Sequence, residues 1–130
     1  MIVVGYSADS FGAAALAHGI AEARLRQEPL LVVNATPGES YVDRRFAGTA
    51  EIGDLEAELG AAGVPFEVVQ TVGVDVAEAL LGVMDRPEAS LLVIGIRHRS
   101  PVGKLLLGSV SQQLLLECRK PVLAVKPDES

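Results

Sequence analysis

The feature that most constrains this chain is an alternation of short apolar segments with helix-like segments. Five short runs of four or five residues are typical of strands bounded by turn-forming residues; four are continuously apolar, and Phe66–Val69 is partly polar, as expected at a sheet edge. These runs are Ile2–Gly5, Leu30–Val33, Phe66–Val69, Leu91–Gly95 and Val122–Val125. The four stretches between them carry apolar residues at helical spacing. This order predicts an α/β fold in which helices cover both faces of a parallel sheet.

The connections between these elements predict how the sheet is ordered. Right-handed crossovers in a Rossmann-like, doubly wound arrangement give a five-stranded parallel sheet of order 3-2-1-4-5 with four main helices. The first and fourth strands are then neighbours, and the winding reverses between them. Ligands of such sheets bind outside the carboxyl ends of the strands at this reversal. The sequence therefore predicts a ligand site between residues 5–7 and residues 95–97.

Length and composition limit the class of protein. The chain has 130 residues, 49% hydrophobic and 22% charged, which predicts one globular domain over residues 1–130. No apolar run reaches the roughly 20 residues of a spanning helix, and no signal-peptide pattern precedes the first strand. We therefore expect a cytoplasmic protein without a membrane partner. The single cysteine, Cys118, excludes an internal disulfide.

Charge is distributed unevenly along the chain. The formal net charge of −6 argues against nucleic acid as a partner. No acidic residue lies between Glu88 and Glu117, and this gap contains Arg97, Arg99 and Lys104. One basic segment in an acidic protein indicates a local anion site, with a solvated basic loop as the alternative.

The segment after the fourth strand combines these positive charges with glycines and serines. Gly95 ends the strand, where a glycine lets a ligand approach the backbone. Gly108 and Ser109 open a predicted helix, whose unpaired N–H groups favour phosphate. Ser111 adds a second hydroxyl donor. A helix cap at Ser109 and a turn at residues 101–103 also explain the glycines, but not their association with the only basic cluster.

Several catalytic and cofactor motifs are absent. Gly103-Lys104 is followed by leucine, which excludes a Walker phosphate loop, and no Gly-x-Gly-x-x-Gly occurs. Ser7 is not part of a Gly-x-Ser-x-Gly elbow. His18 and His98 are far apart and have no neighbouring metal-ligating residues in sequence. No set of catalytic residues is evident, and the sequence leaves open whether the protein is an enzyme.

Residues 91–127 resemble the C-terminal region of the universal stress protein family. Its nucleotide-binding form has a glycine, two residues, a second glycine, nine residues, then glycine and serine or threonine. Gly95, His98 and Gly108-Ser109 keep this spacing, with histidine in place of the second glycine. The segment IVVGYSADSFGAAAL is similar to the family's first strand, turn and helix. Ser7 stands where ATP-binding members carry the aspartate that holds the nucleoside.

This resemblance covers nearly the whole chain and implies a ligand as well as a fold. The ligand it implies is ATP or another adenine nucleotide, with or without Mg²⁺, bound by a stress-response signalling protein. The implied nucleotide-binding residues are Gly5, Tyr6 and Ser7 beside the nucleoside, Ala35 near the base, Ile94, Gly95, Arg97 and His98 around the ribose and phosphates, and Gly108, Ser109, Val110 and Ser111 at the phosphate. A neutral serine at position 7 predicts weaker nucleoside binding than a carboxylate gives. At most slow hydrolysis is expected, because no general base is evident.

Two other functions remain open. The same fold without nucleotide, as in some family members, would act as a dimeric protein-interaction module, with residues 36–48 as a contact surface. Ser7 and His98 favour this alternative. A third hypothesis is that the protein is a small hydrolase or phosphotransferase.

The last strand bears on assembly. In the order 3-2-1-4-5 it lies at a sheet edge, yet Val122–Val125 is uniformly apolar. Because an exposed apolar edge invites pairing with another chain, we expect a homodimer through the strand at residues 121–126. A helix or the C-terminal tail covering this edge is the alternative.

Overall fold

The computed structural model describes residues 1–38, 46–96 and 107–127. Strands and helices alternate along this part of the chain. Their bounds are β1 Ile2–Gly5, α1 Ser10–Arg26, β2 Leu30–Thr36, α2 Thr49–Ala62, β3 Phe66–Val72, α3 Val76–Met84, β4 Leu91–Gly95, α4 Ser109–Glu117 and β5 Val122–Val125. All strand pairs are parallel, and the sheet order is β3-β2-β1-β4-β5. The predicted doubly wound α/β fold is confirmed.

Strands β2 and β3 are longer than the apolar runs that predicted them. They stay paired in register from Leu30 and Phe66 to Thr36 and Val72. The added part of β2 contains Asn34 and Thr36, which are almost fully buried. Polar side chains do not end a strand when its backbone hydrogen bonds continue and the side chains find partners. The extension carries β2 to the end of the sheet where the ligand site is predicted.

The sheet separates two apolar layers. On β1, Ile2 and Val4 face the layer shared with α1 and α2, whereas Val3 faces the layer shared with α3 and α4. On β2, Val32 and Val33 divide between the layers in the same way. Continuous apolar strands are therefore buried on both faces, as a parallel sheet requires.

Aspartates mark the beginning of two helices. The Asp9 carboxylate accepts a hydrogen bond from Gly12 N at 3.0 Å and caps α1. Asp75 caps α3 by accepting from Glu78 N at 3.1 Å. Both caps lie at the end of the sheet where the carboxyl ends of the strands meet. None of the helices in the described ranges is long and apolar enough to cross a bilayer.

Candidate functional site

A cavity of about 420 Å³ opens at the carboxyl ends of β1, β2 and β4, where the winding of the sheet reverses. Its wall combines these strand ends with the first turns of α1, α3 and α4. Small-molecule sites commonly have volumes of roughly 300–1,000 Å³ and occur at this position in doubly wound sheets. The cavity thus lies where the topology predicts a ligand site, and its volume is within the usual range of small-molecule sites.

Most of the residues predicted to bind a ligand lie on the wall of this cavity. Ten of the twelve line it: Gly5, Tyr6, Ser7, Ala35, Ile94, Gly95, Gly108, Ser109, Val110 and Ser111. The other two, Arg97 and His98, lie outside the described residues. The structure therefore gathers segments that are up to 106 residues apart in sequence, from Gly5 to Ser111, around one space.

Ser7 and Asp9 form a hydrogen-bonded pair on the wall. Ser7 Oγ donates to Asp9 Oδ1 at 2.6 Å, and this oxygen also accepts from Gly12 N. A Cβ at Gly12 would lie 1.7 Å from the Ser7 carbonyl oxygen, so only glycine permits so tight a turn. The positive end of the α1 dipole favours the negative charge of Asp9. The site therefore contains a carboxylate although position 7 is a serine.

Tyr6 is half-buried between the cavity and the apolar layer beneath α1 and α2. Burial raises the pKa of its phenol above 10.0, and the negative charges of Glu58, Asp9 and Glu51 raise it further. Both causes penalise the phenolate. The hydroxyl is therefore protonated at neutral pH and can donate a hydrogen bond.

The glycines at the ends of β1 and β4 allow close approach of other parts of the protein. A Cβ at Gly95 would lie 2.3 Å from the Phe11 carbonyl oxygen. A Cβ at Gly5 would lie 3.0 Å from Leu80 Cδ1 and 3.3 Å from Ile94 Cγ2. The sequence predicts that Gly95 gives a ligand access to the backbone, whereas its nearest neighbour is the first turn of α1. The glycine brings α1 against the sheet beside the cavity.

The first turn of α4 faces the cavity without a side-chain cap. Gly108 precedes the helix in an extended conformation, and within residues 107–127 no side chain caps its first turn. Ser109 is the first helical residue, so the alternative of a cap by its hydroxyl is not realised. Gly108 and Ser109 are exposed and Ser111 is half-buried. These N–H groups and hydroxyls can receive an anion.

Polar residues on the cavity wall include some that have no predicted ligand role. The sequence gives no ligand role to Asp9, Asn34 or Asp75, yet all three line the cavity. The signal that locates the caps is topological. Each helix that follows a parallel strand begins at the carboxyl end of the sheet, so its cap lies at the same end as the ligand site.

Other candidate residues lie away from the cavity. His18 is exposed on α1, and the half-buried Cys118 ends α4. Neither residue lines the cavity. Among the residues that the structure describes, no group of three or more His, Cys, Asp or Glu side chains is arranged to hold a metal ion.

Comparison with known proteins identifies the family. Residues 1–126 match the universal stress protein family. A universal stress protein of Mycolicibacterium smegmatis is 68% identical over 127 residues, which are 98% of each chain. The structure of a universal stress protein from Archaeoglobus fulgidus superposes with a TM-score of 0.78 at 29% identity, covering 96% of both chains. A structure of the universal stress protein from the same organism in complex with dAMP has a TM-score of 0.62 at 25% identity, covering 96% of this chain and 95% of the other. The fold and these similarities confirm the resemblance found in the sequence: the chain belongs to the universal stress protein family.

Proposed function

We propose that this protein binds an adenine nucleotide in the cavity between β1 and β4 and acts as a stress-response signalling module in the cytoplasm. The observation that carries the proposal is the composition of the cavity wall. An apolar surface, the Ser7–Asp9 pair and the uncapped start of α4 surround one space of about 420 Å³. The similar A. fulgidus protein in complex with dAMP supports an adenine nucleotide as the class of ligand.

The phosphate is held at the beginning of α4. The helix N-terminus carries partial positive charge and free donors, and Ser109 and Ser111 add hydroxyl groups. The basic residues Arg97 and Arg99 precede this helix in sequence and supply counter-charge. Phosphate is therefore the strongest anchor of the ligand.

The nucleoside is held at the ends of β1 and β2. The sugar hydroxyls meet the Ser7–Asp9 pair, where a carboxylate is a stronger acceptor than a neutral hydroxyl. The base lies beside Ala35 and against Leu80, which contribute small and apolar surface. The protonated Tyr6 hydroxyl offers one further donor. Mg²⁺ enters this site with the phosphates, since it commonly binds through phosphate oxygens and water with few protein ligands.

Calorimetric titration with AMP, ADP and ATP, with and without Mg²⁺, tests the proposal. We expect dissociation constants on the order of micromolar that decrease with phosphate number, because phosphate is the main anchor. Absence of heat and of a thermal shift with all three nucleotides would contradict the proposal. It would favour the same fold acting as a nucleotide-free interaction module.

A charge substitution at the start of α4 tests where the phosphate is held. Ser109→Asp places a carboxylate among the donors, so we expect at least about a hundredfold loss of ATP affinity from repulsion and lost contacts. Gln112→Asp is the matched control, because Gln112 is exposed in the same turn and does not line the cavity. An acidic residue in a first turn favours the helix, so both variants should fold. If Ser109→Asp and the control bound ATP with equal affinity, the phosphate would have to be held elsewhere.

We also propose that the protein forms a homodimer through β5. Within residues 1–38, 46–96 and 107–127, this strand pairs only with β4, at the edge of the sheet. Its apolar residues Val122, Leu123 and Ala124 are half-buried, so the edge offers both hydrogen-bonding groups and apolar surface to a second copy.

A further inference from the structure

Asn34 is a buried amide at the carboxyl end of β2, with 1% of its surface exposed. Its Nδ2 donates to the Tyr6 carbonyl at 2.9 Å, and its Oδ1 accepts from Ala47 N at 2.8 Å. Gln70 Nε2 donates to the same Oδ1 at 3.0 Å and to the Ala47 carbonyl at 2.8 Å. Among the described residues, Ala47 N and Gln70 Nε2 converge on Oδ1 and the Tyr6 carbonyl faces Nδ2, which fixes the orientation of the amide.

The bond from Asn34 replaces a backbone hydrogen bond at the point where β1 leaves the sheet. Tyr6 N donates to the Val33 carbonyl at 2.9 Å, in continuation of the β1–β2 ladder. In a longer ladder the N–H of Ala35 would donate to the Tyr6 carbonyl. The chain turns away after Tyr6 toward Ser7 and α1. The Asn34 side chain supplies the donor that this turn requires.

The partners of Asn34 belong to two different parts of the fold. Tyr6 lines the cavity together with the adjacent Ser7, whereas the other two partners, Ala47 and Gln70, do not line it. Ala47 lies two residues before α2 and is 2% exposed, and Gln70 is the neighbour of Asn34 on β3. The amide therefore joins the turn beside the cavity to the segment that leads into α2.

We propose that Asn34 is a positioning residue of the nucleotide site, which holds the Tyr6–Ser7 turn in its binding conformation by anchoring the Tyr6 carbonyl to the start of α2. This inference rests on the proposed function for its effect on affinity. Its effect on the turn itself can be measured without a ligand. Without this hydrogen bond the Tyr6 carbonyl would no longer fix the position of the adjacent Ser7, whose hydroxyl is paired with Asp9.

Asn34→Asp tests this role with little change in size. At a pH at which the carboxyl is ionised, it still accepts from Ala47 N and Gln70 Nε2 but cannot donate to the Tyr6 carbonyl. In the unliganded protein we expect amide hydrogen exchange at Tyr6, Asp9 and Gly12 to accelerate at least about tenfold, while the core amides of β4 and the Ala47 amide stay protected. The dissociation constant for AMP should rise about tenfold, the effect of losing one buried hydrogen bond.

Gln70→Ala provides the matched control. It removes the exposed end of the same network and leaves the bond from Asn34 to Tyr6 in place. We expect AMP affinity within about twofold of the wild type and unchanged exchange at Tyr6 and Asp9. Equal loss of affinity in both variants would overturn the specific role of Asn34.

The two measurements separate this inference from the proposed function. Unchanged exchange at Tyr6, Asp9 and Gly12 in Asn34→Asp would overturn the positioning role. Acceleration of the same size in the core amides would also overturn it, since Asn34 would then stabilise the fold in general. If the wild-type protein bound no AMP but exchange in Asn34→Asp accelerated only in the turn, the nucleotide proposal would be refuted. The same result would support the role of Asn34 in fixing the turn.

Discussion

At the scale of single residues, two glycines permit close backbone contacts at the start of α1 beside the cavity. A Cβ at Gly12 would meet the Ser7 carbonyl oxygen, and one at Gly95 would meet the Phe11 carbonyl oxygen. Both obstacles are backbone atoms, which a change of side-chain rotamer cannot move. Gly53, in the interior of α2, has open space where its Cβ would be. Glycine is therefore required for close packing at position 95, whereas nothing in the surroundings requires it at position 53.

Alanine substitutions at these two positions should shift stability in opposite directions. Gly95→Ala must push α1 away from β4, and we expect it to lower the free energy of unfolding by about 2 kcal/mol or more. Gly53→Ala should raise it by about 0.5–1 kcal/mol, because alanine favours a helix interior. Urea unfolding followed by circular dichroism measures both changes. A Gly95→Ala midpoint equal to that of the wild type would show that α1 is not held so closely.

The ionisation of Tyr6 reports on its surroundings. Its raised pKa means that folding favours the protonated phenol, so the associated stability is fully present below the ordinary value of 10.0. That stability is lost as the pH rises through the higher pKa of the folded state. In Tyr41→Phe, Tyr6 is the remaining tyrosine, and we expect its phenolate absorbance to appear with a midpoint above 10.0. A midpoint at or below 10.0 would contradict both the burial and the nearby negative charges.

At the scale of elements, the apolar runs locate all five strands but not the ends of two. Strands β2 and β3 continue through polar residues such as Asn34 and Gln70, whose side chains bond to each other across the pair. A periodicity of apolar residues cannot reveal such a partnership, because it depends on which strands are neighbours. Strand β1 is short and wholly apolar, and its end at Gly5 is predicted correctly.

The position of the candidate site was predictable where topology alone brings residues together. The ends of β1 and β4 and the start of α4 must meet at one edge of a doubly wound sheet, so Gly5, Gly95 and Ser109 can be placed from the sequence. The contributions of Asp9 and Asn34 to the cavity wall could not be predicted in this way. Asp9 occupies a helix-cap position and Asn34 a strand position, and neither position indicates a ligand site. Their contacts with Ser7 and Tyr6 depend on the path of a turn at atomic detail.

At the scale of the whole molecule, the open edge of β5 determines how a second copy could pair. The carbonyls of Pro121 and Val125 accept from the N–H groups of Leu92 on β4 and of Ile96 directly after it. In a parallel ladder, alternate residues of a strand bond to alternate sides. Ala124 therefore directs its N–H away from β4 and toward the open edge. A β5-to-β5 interface would use this donor.

Proline at this position should separate the proposed dimer without unfolding the chain. Ala124→Pro removes the outward donor and keeps the bonds to β4, and proline is tolerated on edge strands in this orientation. Val72→Pro is the control on the opposite edge, where Pro65 and Gly73 bond to β2 and Val72 faces outward by the same alternation. Sedimentation equilibrium should give the mass of two chains for the wild type and Val72→Pro, and of one chain for Ala124→Pro. A wild type with the mass of one chain, or a dimeric Ala124→Pro, would contradict assembly through β5.

Because the cavity lies at the carboxyl end of β4 and not on this edge, Ala124→Pro should retain the nucleotide affinity of the wild type.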